Sequence, residues 1–227
     1  MSTLNAKQIA SYIDHTLLKP DASSEAIDKL CAEAAQYGFF SVCVNSQWVA
    51  RCHKALEGTG VKVAAVVGFP LGASLSEVKA FEAAKAVENG ASEIDTVLPI
   101  GLLLEGQYDA VREDIKKVVD AVKGKAIVKV IMETGFLNDE QKKMACKLSE
   151  EAGAHFVKTS TGFGPGGATA EDVRLMRQNV SASIGVKASG GVRDLQTAVA
   201  MIEAGATRLG TSSGVAIMNG IQGASTY

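Results

Sequence analysis

The segment Glu151-Ala152-Gly153-Ala154-His155-Phe156-Val157-Lys158 contains the end of one predicted element and the whole of the next. A helical pattern that starts near Asn138 stops at its glycine, the residue that most readily takes the left-handed conformation after a helix. Phe156 and Val157 then favour a β-strand. The segment therefore predicts a helix, a tight turn and a strand in direct succession.

Two further segments have the same form. Glu88-Asn89-Gly90-Ala91 precedes Asp95, Glu203-Ala204-Gly205-Ala206 precedes Gly210, and in all three segments the glycine lies five residues before Asp95, Lys158 or Gly210. A chain rich in glycine and alanine could also produce such matches by chance. If the repeat is structural, these three residues lie at similar heights near the C-terminal ends of the fourth, sixth and eighth strands.

Strand and helix patterns alternate along the whole chain. We predict strands near 11–17, 39–44, 62–67, 93–98, 126–132, 155–159, 184–188 and 207–210. We predict helices near 24–36, 46–57, 75–89, 108–122, 138–151, 170–179, 194–203 and 213–219. This alternation indicates βαβ crossovers and a parallel sheet. Eight units within 227 residues, with no linker of Pro, Ser and Gly, predict one domain over 1–227, a single (β/α)8 TIM barrel.

Composition excludes several classes of function. Hydrophobic residues make up 47% and charged residues 21%, which is typical of a globular chain with a sizeable core. A net charge of −2 argues against a nucleic-acid partner. No segment has the pattern of a signal peptide or a membrane span, and the four cysteines form no CxxC pair, so we expect a cytoplasmic protein without a membrane partner. The scattered histidines predict no metal site.

Lys158 and Lys187 are the main candidates for chemistry. Each lies near the end of a predicted strand and precedes a glycine-rich stretch, although a lysine is costly to bury. Such lysines could extend to solvent, or one could pair with Asp95. Their parallel positions instead favour a pair that meets in space. A neighbouring cation lowers the pKa of a lysine and frees its amine to attack a carbonyl, which is the chemistry of a Schiff-base enzyme.

Other charged residues lie on the same predicted strands. Asp95 stands in an apolar run and needs a partner, so it is either a salt-bridge partner of a lysine, a proton shuttle, or both. By strand alternation Lys129 and Glu133 share a face. They belong to a charged network if that face points inward, or form an ion pair that only orders the strand. Asp14, on the first strand, has the same interpretation as Asp95.

Glycine-rich loops follow the last two strands, as Ser189-Gly190-Gly191-Val192 and Gly210-Thr211-Ser212-Ser213-Gly214. In such barrels these loops and a short following helix commonly bind phosphate, although the glycines could serve only tight turns. Gly162-Phe163-Gly164-Pro165-Gly166-Gly167 has the spacing G-x-G-x-x-G, but it follows the sixth strand and its proline lacks an N–H. We interpret it as a flexible loop beside the site and not as a dinucleotide motif.

Six motifs together resemble the deoxyribose-phosphate aldolase family over essentially the whole chain. They are Ile13-Asp14-His15-Thr16, Val66-Val67-Gly68-Phe69-Pro70-Leu71-Gly72, Glu93-Ile94-Asp95-Thr96-Val97, Lys129-Val130-Ile131-Met132-Glu133-Thr134, Val157-Lys158-Thr159-Ser160-Thr161-Gly162-Phe163 and Lys187-Ala188-Ser189-Gly190-Gly191. The resemblance implies a barrel without a metal or other cofactor. It also implies a class I aldehyde-lyase of deoxynucleoside catabolism, which reversibly cleaves 2-deoxy-D-ribose 5-phosphate to acetaldehyde and D-glyceraldehyde 3-phosphate.

The resemblance also implies residue roles. Lys158 would form the Schiff base, Lys187 would lower its pKa, and Asp95 would transfer protons with Lys187 and a water molecule. Asp14 and Lys129 would support this group, and the C-terminal Tyr227 would be a proton-transfer group unless it is only part of a disordered tail. The phosphate would be bound by Gly162, Gly190, Gly191, Ser212 and Ser213.

Some alternatives stay open at this point. A different Schiff-base barrel, such as a transaldolase-like enzyme, would use a ketose donor in place of acetaldehyde, and a phosphosugar-binding protein would keep the barrel without the chemistry. Phe163 stands beside Gly162 where a cation would help to bind phosphate, so backbone N–H groups, with Arg193, would have to bind it. A homodimer is common among such barrels, but the sequence does not specify one.

Overall fold

The computed structural model describes residues 6–223, whose strands close into a parallel barrel in chain order, from β1 round to β8 and back to β1. The strands are β1 Ile13–Leu17, β2 Ser41–Asn45, β3 Lys62–Val67, β4 Glu93–Val97, β5 Ile127–Ile131, β6 Phe156–Lys158, β7 Gly185–Ser189 and β8 Arg208–Thr211. The helices are α1 Ala6–Ala10, α2 Ser24–Tyr37, α3 Val49–Ala55, α4 Ser76–Glu88, α5 Ile100–Leu104, α6 Tyr108–Ala121, α7 Asp139–Glu151, α8 Ala170–Gln178, α9 Leu195–Glu203 and α10 Gly214–Met218. The predicted (β/α)8 architecture is confirmed.

The elements differ from the sequence prediction mainly where they are short. The predicted helix at 46–57 is a 3-10 turn, Ser46–Trp48, followed by α3, and helices α1 and α5 were not predicted. Each of these two helices has five residues, too few for a helical period to be recognised. None of the helices between residues 6 and 223 combines the length and the apolarity that a bilayer span requires.

The repeated glycines end helices as the sequence predicts. Gly90, Gly153 and Gly205 follow α4, α7 and α9 with φ angles of 105°, 85° and 113°. Side chains other than glycine rarely adopt this conformation. The strand that leads to Asp95, Lys158 or Gly210 begins three residues after each glycine.

The two faces of the barrel wall differ in polarity. Outward side chains such as Val42, Val63, Ile94 and Val128 pack with the helices in one large hydrophobic core. Sheets covered on their outer face by helices bury such residues completely. Inside the barrel, Leu18, Cys43, Ala64 and Val66 form a small separate apolar cluster, against which Phe69 packs.

The remaining interior positions are mostly charged. Alternation and register place the inward side chains in layers of four from alternate strands: Ser41, Glu93, Phe156 and Arg208; then Asp14, Ala64, Lys129 and Lys187; then Cys43, Asp95, Lys158 and Gly210. Barrels of this kind usually fill these layers with branched apolar residues. The predicted common height of Asp95, Lys158 and Gly210 is confirmed.

Candidate active site

Lys158 and Lys187 meet inside the barrel. They are direct partners in the register of β6 and β7, and each Nζ lies 2.8 Å from the same oxygen, Oδ2 of Asp95. The two side chains are 3% and 0% exposed, so neither lysine extends to solvent. Their nitrogens are therefore within the ~4–6 Å over which one charge shifts the pKa of another.

Asp95 is the centre of this group. Its Oδ1 accepts a hydrogen bond from Nζ of Lys129 at 2.7 Å, and its Oδ2 accepts from both other lysines. The thiol of Cys43 lies 3.9 Å from Oδ2. Burial opposes the carboxylate charge, but the three lysines together hold the pKa of Asp95 well below its usual range.

The pKa values of the two lysines are shifted in opposite directions. Burial, assisted by the charge of Lys187 and opposed by Asp95, lowers the pKa of Lys158. Burial also opposes the charge on Lys187, but its contacts with Asp14 and Asp95 raise its pKa well above the usual value. Lys187 therefore keeps its proton, and Lys158 is the amine that more readily loses one.

The charged group continues toward the N-terminal end of the barrel. Asp14 contacts Lys187 and lies 2.8 Å from Arg208, which lies 3.0 Å from Glu93. Glu93 in turn lies 2.5 Å from Nζ of Lys129. Sequence analysis did not single out Glu93 or Arg208 as site residues. Their position two residues before Asp95 and Gly210, and so on the same strand face, is the signal that could have found them.

Glu133 lies beyond the end of strand β5. Strand β5 ends at Ile131, and Glu133 has a φ of 53°, so the alternation of side chains no longer applies. Its carboxylate accepts hydrogen bonds from the N–H of Thr161, at 3.3 Å, and from the Thr161 hydroxyl, and it makes no ion pair with Lys129. Lys129 belongs to the charged network inside the barrel, but the alternative prediction, an ion pair between Lys129 and Glu133, is not observed. Burial raises the pKa of Glu133.

Hydrogen bonds join the ends of the two lysine-bearing strands. The Thr159 hydroxyl donates to the carbonyl of Ser189 at 2.9 Å and accepts from the Ser189 N–H at 3.0 Å. The Ser189 hydroxyl donates to the carbonyl of Ser160 at 2.6 Å. On the neighbouring strand β8, a Cβ at Gly210 would lie 3.0 Å from Cε of Lys187. Glycine at this position therefore leaves room for the lysine side chain.

A cavity of about 270 Å³ lies beside these strand ends. Its lining residues are Gly162, Gly164, Pro165, Gly166, Gly167, Gly190, Gly191, Val192, Arg193, Thr211 and Ser212. Four of the predicted phosphate residues are among them, whereas Ser213 is not, and its N–H donates to the Thr211 hydroxyl at 2.9 Å. Among the residues between 6 and 223 that line it, Arg193 is the one that carries a charge, so the cavity is suited to a small anion.

The loop after β6 packs closely on its neighbours. A Cβ at Gly164 would lie 2.7 Å from the carboxyl carbon of Glu133, and one at Gly167 would lie 2.5 Å from the carbonyl oxygen of Gly190. Phe163 packs edge-on against Phe69 and lines a second, apolar cavity of about 290 Å³. The glycines of the G-x-G-x-x-G spacing thus permit close approach of two loops.

Two expectations concern other parts of the chain. Tyr227 lies outside the described residues; the last described residue, Gly223, donates its N–H to the carbonyl of Arg193 at 2.8 Å. Within 6–223, no three His, Cys, Asp or Glu side chains converge as metal ligands would.

Comparisons with known proteins agree with this geometry. The deoxyribose-phosphate aldolase of Geobacillus sp. (strain WCH70) is 60% identical over 219 residues, which are 96% of this chain and 98% of that enzyme. The deoxyribose-phosphate aldolase of Enterococcus faecalis is 59% identical over 95% of this chain and 98% of that enzyme. A solved structure of a tetrameric deoxyribose phosphate aldolase from Aeropyrum pernix matches with a TM-score of 0.89 at 36% identity, covering 95% of this chain and 91% of that chain.

The family model of the DeoC/LacD family aldolases matches residues 8–220, which is nearly the whole chain. The relatives also match over nearly their full lengths. The chain belongs to the DeoC/LacD family of aldolases.

Proposed function

We propose that the protein reversibly cleaves 2-deoxy-D-ribose 5-phosphate to acetaldehyde and D-glyceraldehyde 3-phosphate through a Schiff base on Lys158. The observation that carries this proposal is a buried lysine amine with a lowered pKa, 2.8 Å from a carboxylate that it shares with a second, charged lysine. A neutral amine is the nucleophile that carbonyl attack requires. The named relatives act, by their names, on deoxyribose phosphate.

The reaction begins at the aldehyde carbon of the open-chain sugar. The lone pair of Lys158 Nζ attacks C1, and loss of water leaves an iminium ion. Removal of the proton from the C3 hydroxyl then lets the C2–C3 bond break, and its electrons flow into the iminium to form an enamine. The C3 hydroxyl becomes the aldehyde of glyceraldehyde 3-phosphate. Protonation of the enamine and hydrolysis release acetaldehyde and regenerate the amine.

Asp95 and Lys187 serve the proton transfers of this sequence. Asp95 contacts both lysines, so it can pass protons between Lys187, a water molecule and the reacting sugar. Because the pKa of Lys187 is raised, this lysine remains a cation next to the developing iminium and keeps Lys158 from being protonated. Asp14 and Lys129 hold Lys187 and Asp95 in place through their ion pairs.

The phosphate group binds in the cavity beside the strand ends. Gly162, Gly190 and Gly191, which take φ angles of 81° to 87°, line this cavity together with Ser212 and Arg193, and we expect backbone N–H groups and these two side chains to donate to the phosphate. Ser213 stabilises the adjacent turn, because its N–H donates to the Thr211 hydroxyl. Binding energy from the phosphate, remote from C1, orients the reacting carbon.

Borohydride trapping tests this proposal. Incubation with acetaldehyde, reduction and peptide mapping should locate the added mass on Lys158 and abolish turnover, and Lys158→Leu should remove the label while the circular dichroism spectrum is kept. Lys143→Leu, at a lysine exposed on α7, is the matched control and should label normally. No label on any lysine would favour a binding protein without chemistry. Label only with a ketose donor would favour a transaldolase-like enzyme.

We propose that Tyr227 takes part in proton transfer to the enamine. Gly223 bonds to Arg193 at the rim of the phosphate cavity, so the chain leaves the described region close to the site. Tyr227→Phe should slow the exchange of acetaldehyde methyl protons with deuterated solvent, followed by NMR, more than it reduces borohydride trapping. An unchanged exchange rate would reject the assignment.

We also propose a single-domain, cytoplasmic protein that forms a homodimer. The four cysteines are free and buried, as is usual in a reducing compartment. Leu75, Val78 and Phe81 are 72%, 52% and 65% exposed and lie along one side of α4 and its N-cap, an apolar stripe that a second copy could cover. Light scattering of the purified protein measures its mass, and Phe81→Glu should reduce that mass to one chain.

A further inference from the structure

Six buried side chains form a closed ring of alternating charge inside the barrel. Asp95 contacts Lys187, Lys187 contacts Asp14, Asp14 contacts Arg208, Arg208 contacts Glu93, Glu93 contacts Lys129, and Lys129 returns to Asp95. Apart from the Lys187–Asp14 contact, these contacts measure 2.5 to 3.0 Å, and no side chain in the ring is more than 6% exposed. We call this set the charge ring.

The charge ring is electrically balanced by itself. It contains three carboxylates and three cations, and Lys158 is attached to it as a fourth cation through Oδ2 of Asp95. A protonated Lys158 therefore adds one unbalanced positive charge to a buried network, whereas a neutral Lys158 adds none. An uncompensated buried charge is strongly unfavourable. The balance of the whole ring thus disfavours the proton on Lys158.

Other groups near Lys158 do not restore this balance by pairing with it. Within the described residues, the titratable and charged groups that face it come from β1, β2, β4, β5, the segment after β5, and β7: Asp14, Cys43, Asp95, Lys129, Glu133 and Lys187. Cys43 is fully buried beside Asp95 and its pKa is raised by that burial, so it stays a neutral thiol. The Glu133 carboxylate is bonded to Thr161 and to none of these lysines.

We propose that Glu93 and Arg208 are positioning residues for catalysis, which control the fraction of Lys158 present as free amine through the charge of the ring. Neither contacts Lys158; they lie in the layer nearest the N-terminal end of the barrel, far from the cavity. Arg208 is fixed there by its guanidinium, which stacks 3.3 Å above the ring of Phe40. This inference rests on the proposed function of Lys158 as the Schiff-base residue.

The proposal predicts shifts of opposite sign. Glu93→Gln removes a negative charge, which makes the surroundings of Lys158 more positive, lowers its pKa and moves the acid limb of the pH–rate profile to lower pH. Arg208→Met removes a positive charge and moves that limb to higher pH. Each shift should be about one pH unit, because a charge removed from a buried network acts through an effective dielectric constant of ~20 and not through that of bulk water.

Two further variants separate charge from structure. The double variant Glu93→Gln/Arg208→Met restores the net charge, so its acid limb should return toward that of the wild type although more contacts are lost. Arg208→Lys keeps the charge but loses the planar stack on Phe40, and its limb should also stay near the wild-type position. If Arg208→Met fails to fold, Glu93→Gln and Arg208→Lys still test the proposal. The acid limb should move to lower pH in Glu93→Gln and stay near the wild-type position in Arg208→Lys.

The experiment measures the rate of borohydride-trapped acetaldehyde adduct on Lys158, and kcat/KM for the phosphosugar, from pH 5 to 9. Opposite shifts in the two single variants, with return in the double variant, support the proposal. Unchanged midpoints in Glu93→Gln and Arg208→Met, or shifts in the same direction, overturn it. Absence of an adduct on Lys158 in the wild type would instead reject the proposed function, so the two failures are distinguishable.

Discussion

At the scale of single residues, the site depends on lysines in places where lysine is normally excluded. Lys129, Lys158 and Lys187 are all buried, and only for Lys158 among them is the pKa lowered. This difference in pKa follows from the number of carboxylates that each lysine contacts. Lys129 and Lys187 each contact two carboxylates, whereas Lys158 contacts one carboxylate that it shares. Identical side chains therefore have pKa values shifted in opposite directions, according to the number of carboxylates that each one contacts.

Lys187→Leu should reduce turnover by orders of magnitude and move the acid limb of the pH–rate profile upward. Loss of its charge leaves Lys158 with Asp95 and without the neighbouring cation, so the pKa of Lys158 rises and less free amine is present at neutral pH. The kcat/KM profile from pH 5 to 9 measures this shift. A profile that keeps its wild-type midpoint would show that Lys187 does not control the protonation of Lys158.

At the scale of elements, the loops after β6 and β7 pack tightly on each other through glycines. They connect the amine of Lys158 to the cavity proposed for phosphate. The loop after β6 meets the loop after β7 where Gly167 packs on the carbonyl of Gly190. Residues of both loops line the cavity. On the proposed function, we therefore expect the alignment of phosphate and amine to depend on backbone packing between two loops and not on a single phosphate-binding cation.

Gly167→Ala should raise KM for the phosphosugar about tenfold or more and leave acetaldehyde trapping on Lys158 nearly unchanged. Its Cβ would lie 2.5 Å from the carbonyl oxygen of Gly190, a backbone atom that can move only with its loop. Steady-state kinetics together with trapping measure the two effects.

Gly166→Ala is the matched control in the same loop. The nearest atom to its Cβ is Cα of Gly135 at 3.5 Å, an ordinary van der Waals contact, and wild-type kinetics are expected. Equal effects of the two substitutions would contradict the importance of the Gly167 contact.

At the scale of the whole molecule, the barrel interior holds charge where other barrels hold apolar side chains. Asp14 and Asp95 are completely buried, and their pKa values are lowered because their cation partners outweigh the opposing effect of burial. A carboxylate with a lowered pKa in the folded state contributes stability above its unfolded value of about 3.9, and this contribution is lost as the pH falls toward the folded value.

Asp14→Asn should therefore lower the free energy of unfolding by about 3–5 kcal/mol at pH 7, because Lys187 and Arg208 each lose a buried partner. The same variant should lose less of its remaining stability than the wild type as the pH is lowered below about 4. Urea unfolding at several pH values measures both effects. Parallel pH curves for the two proteins would contradict this assignment.

Much of this architecture follows from local sequence. The strands were predicted because apolar runs precede glycine-rich turns, and Lys158 and Lys187 were singled out because lysine is anomalous in such runs. The bonding of Glu133 to Thr161 was not predicted, because the strand ends at Ile131 and Glu133 itself lies in the left-handed region. The charge ring was missed because its closing contact, between Asp14 and Arg208, joins residues 194 positions apart. Alternation gives the face of a strand but not the partner across a closed barrel.

That contact between the first and the last strand has a consequence for protein synthesis. Until the ribosome has made β8, a nascent chain has Asp14 without its guanidinium partner, and the amine of Lys158 lacks the folded surroundings that lower its pKa. We therefore expect an incomplete polypeptide to carry this amine with the ordinary pKa of a lysine. On the proposed function, full reactivity toward aldehydes follows only after translation has supplied the final strand.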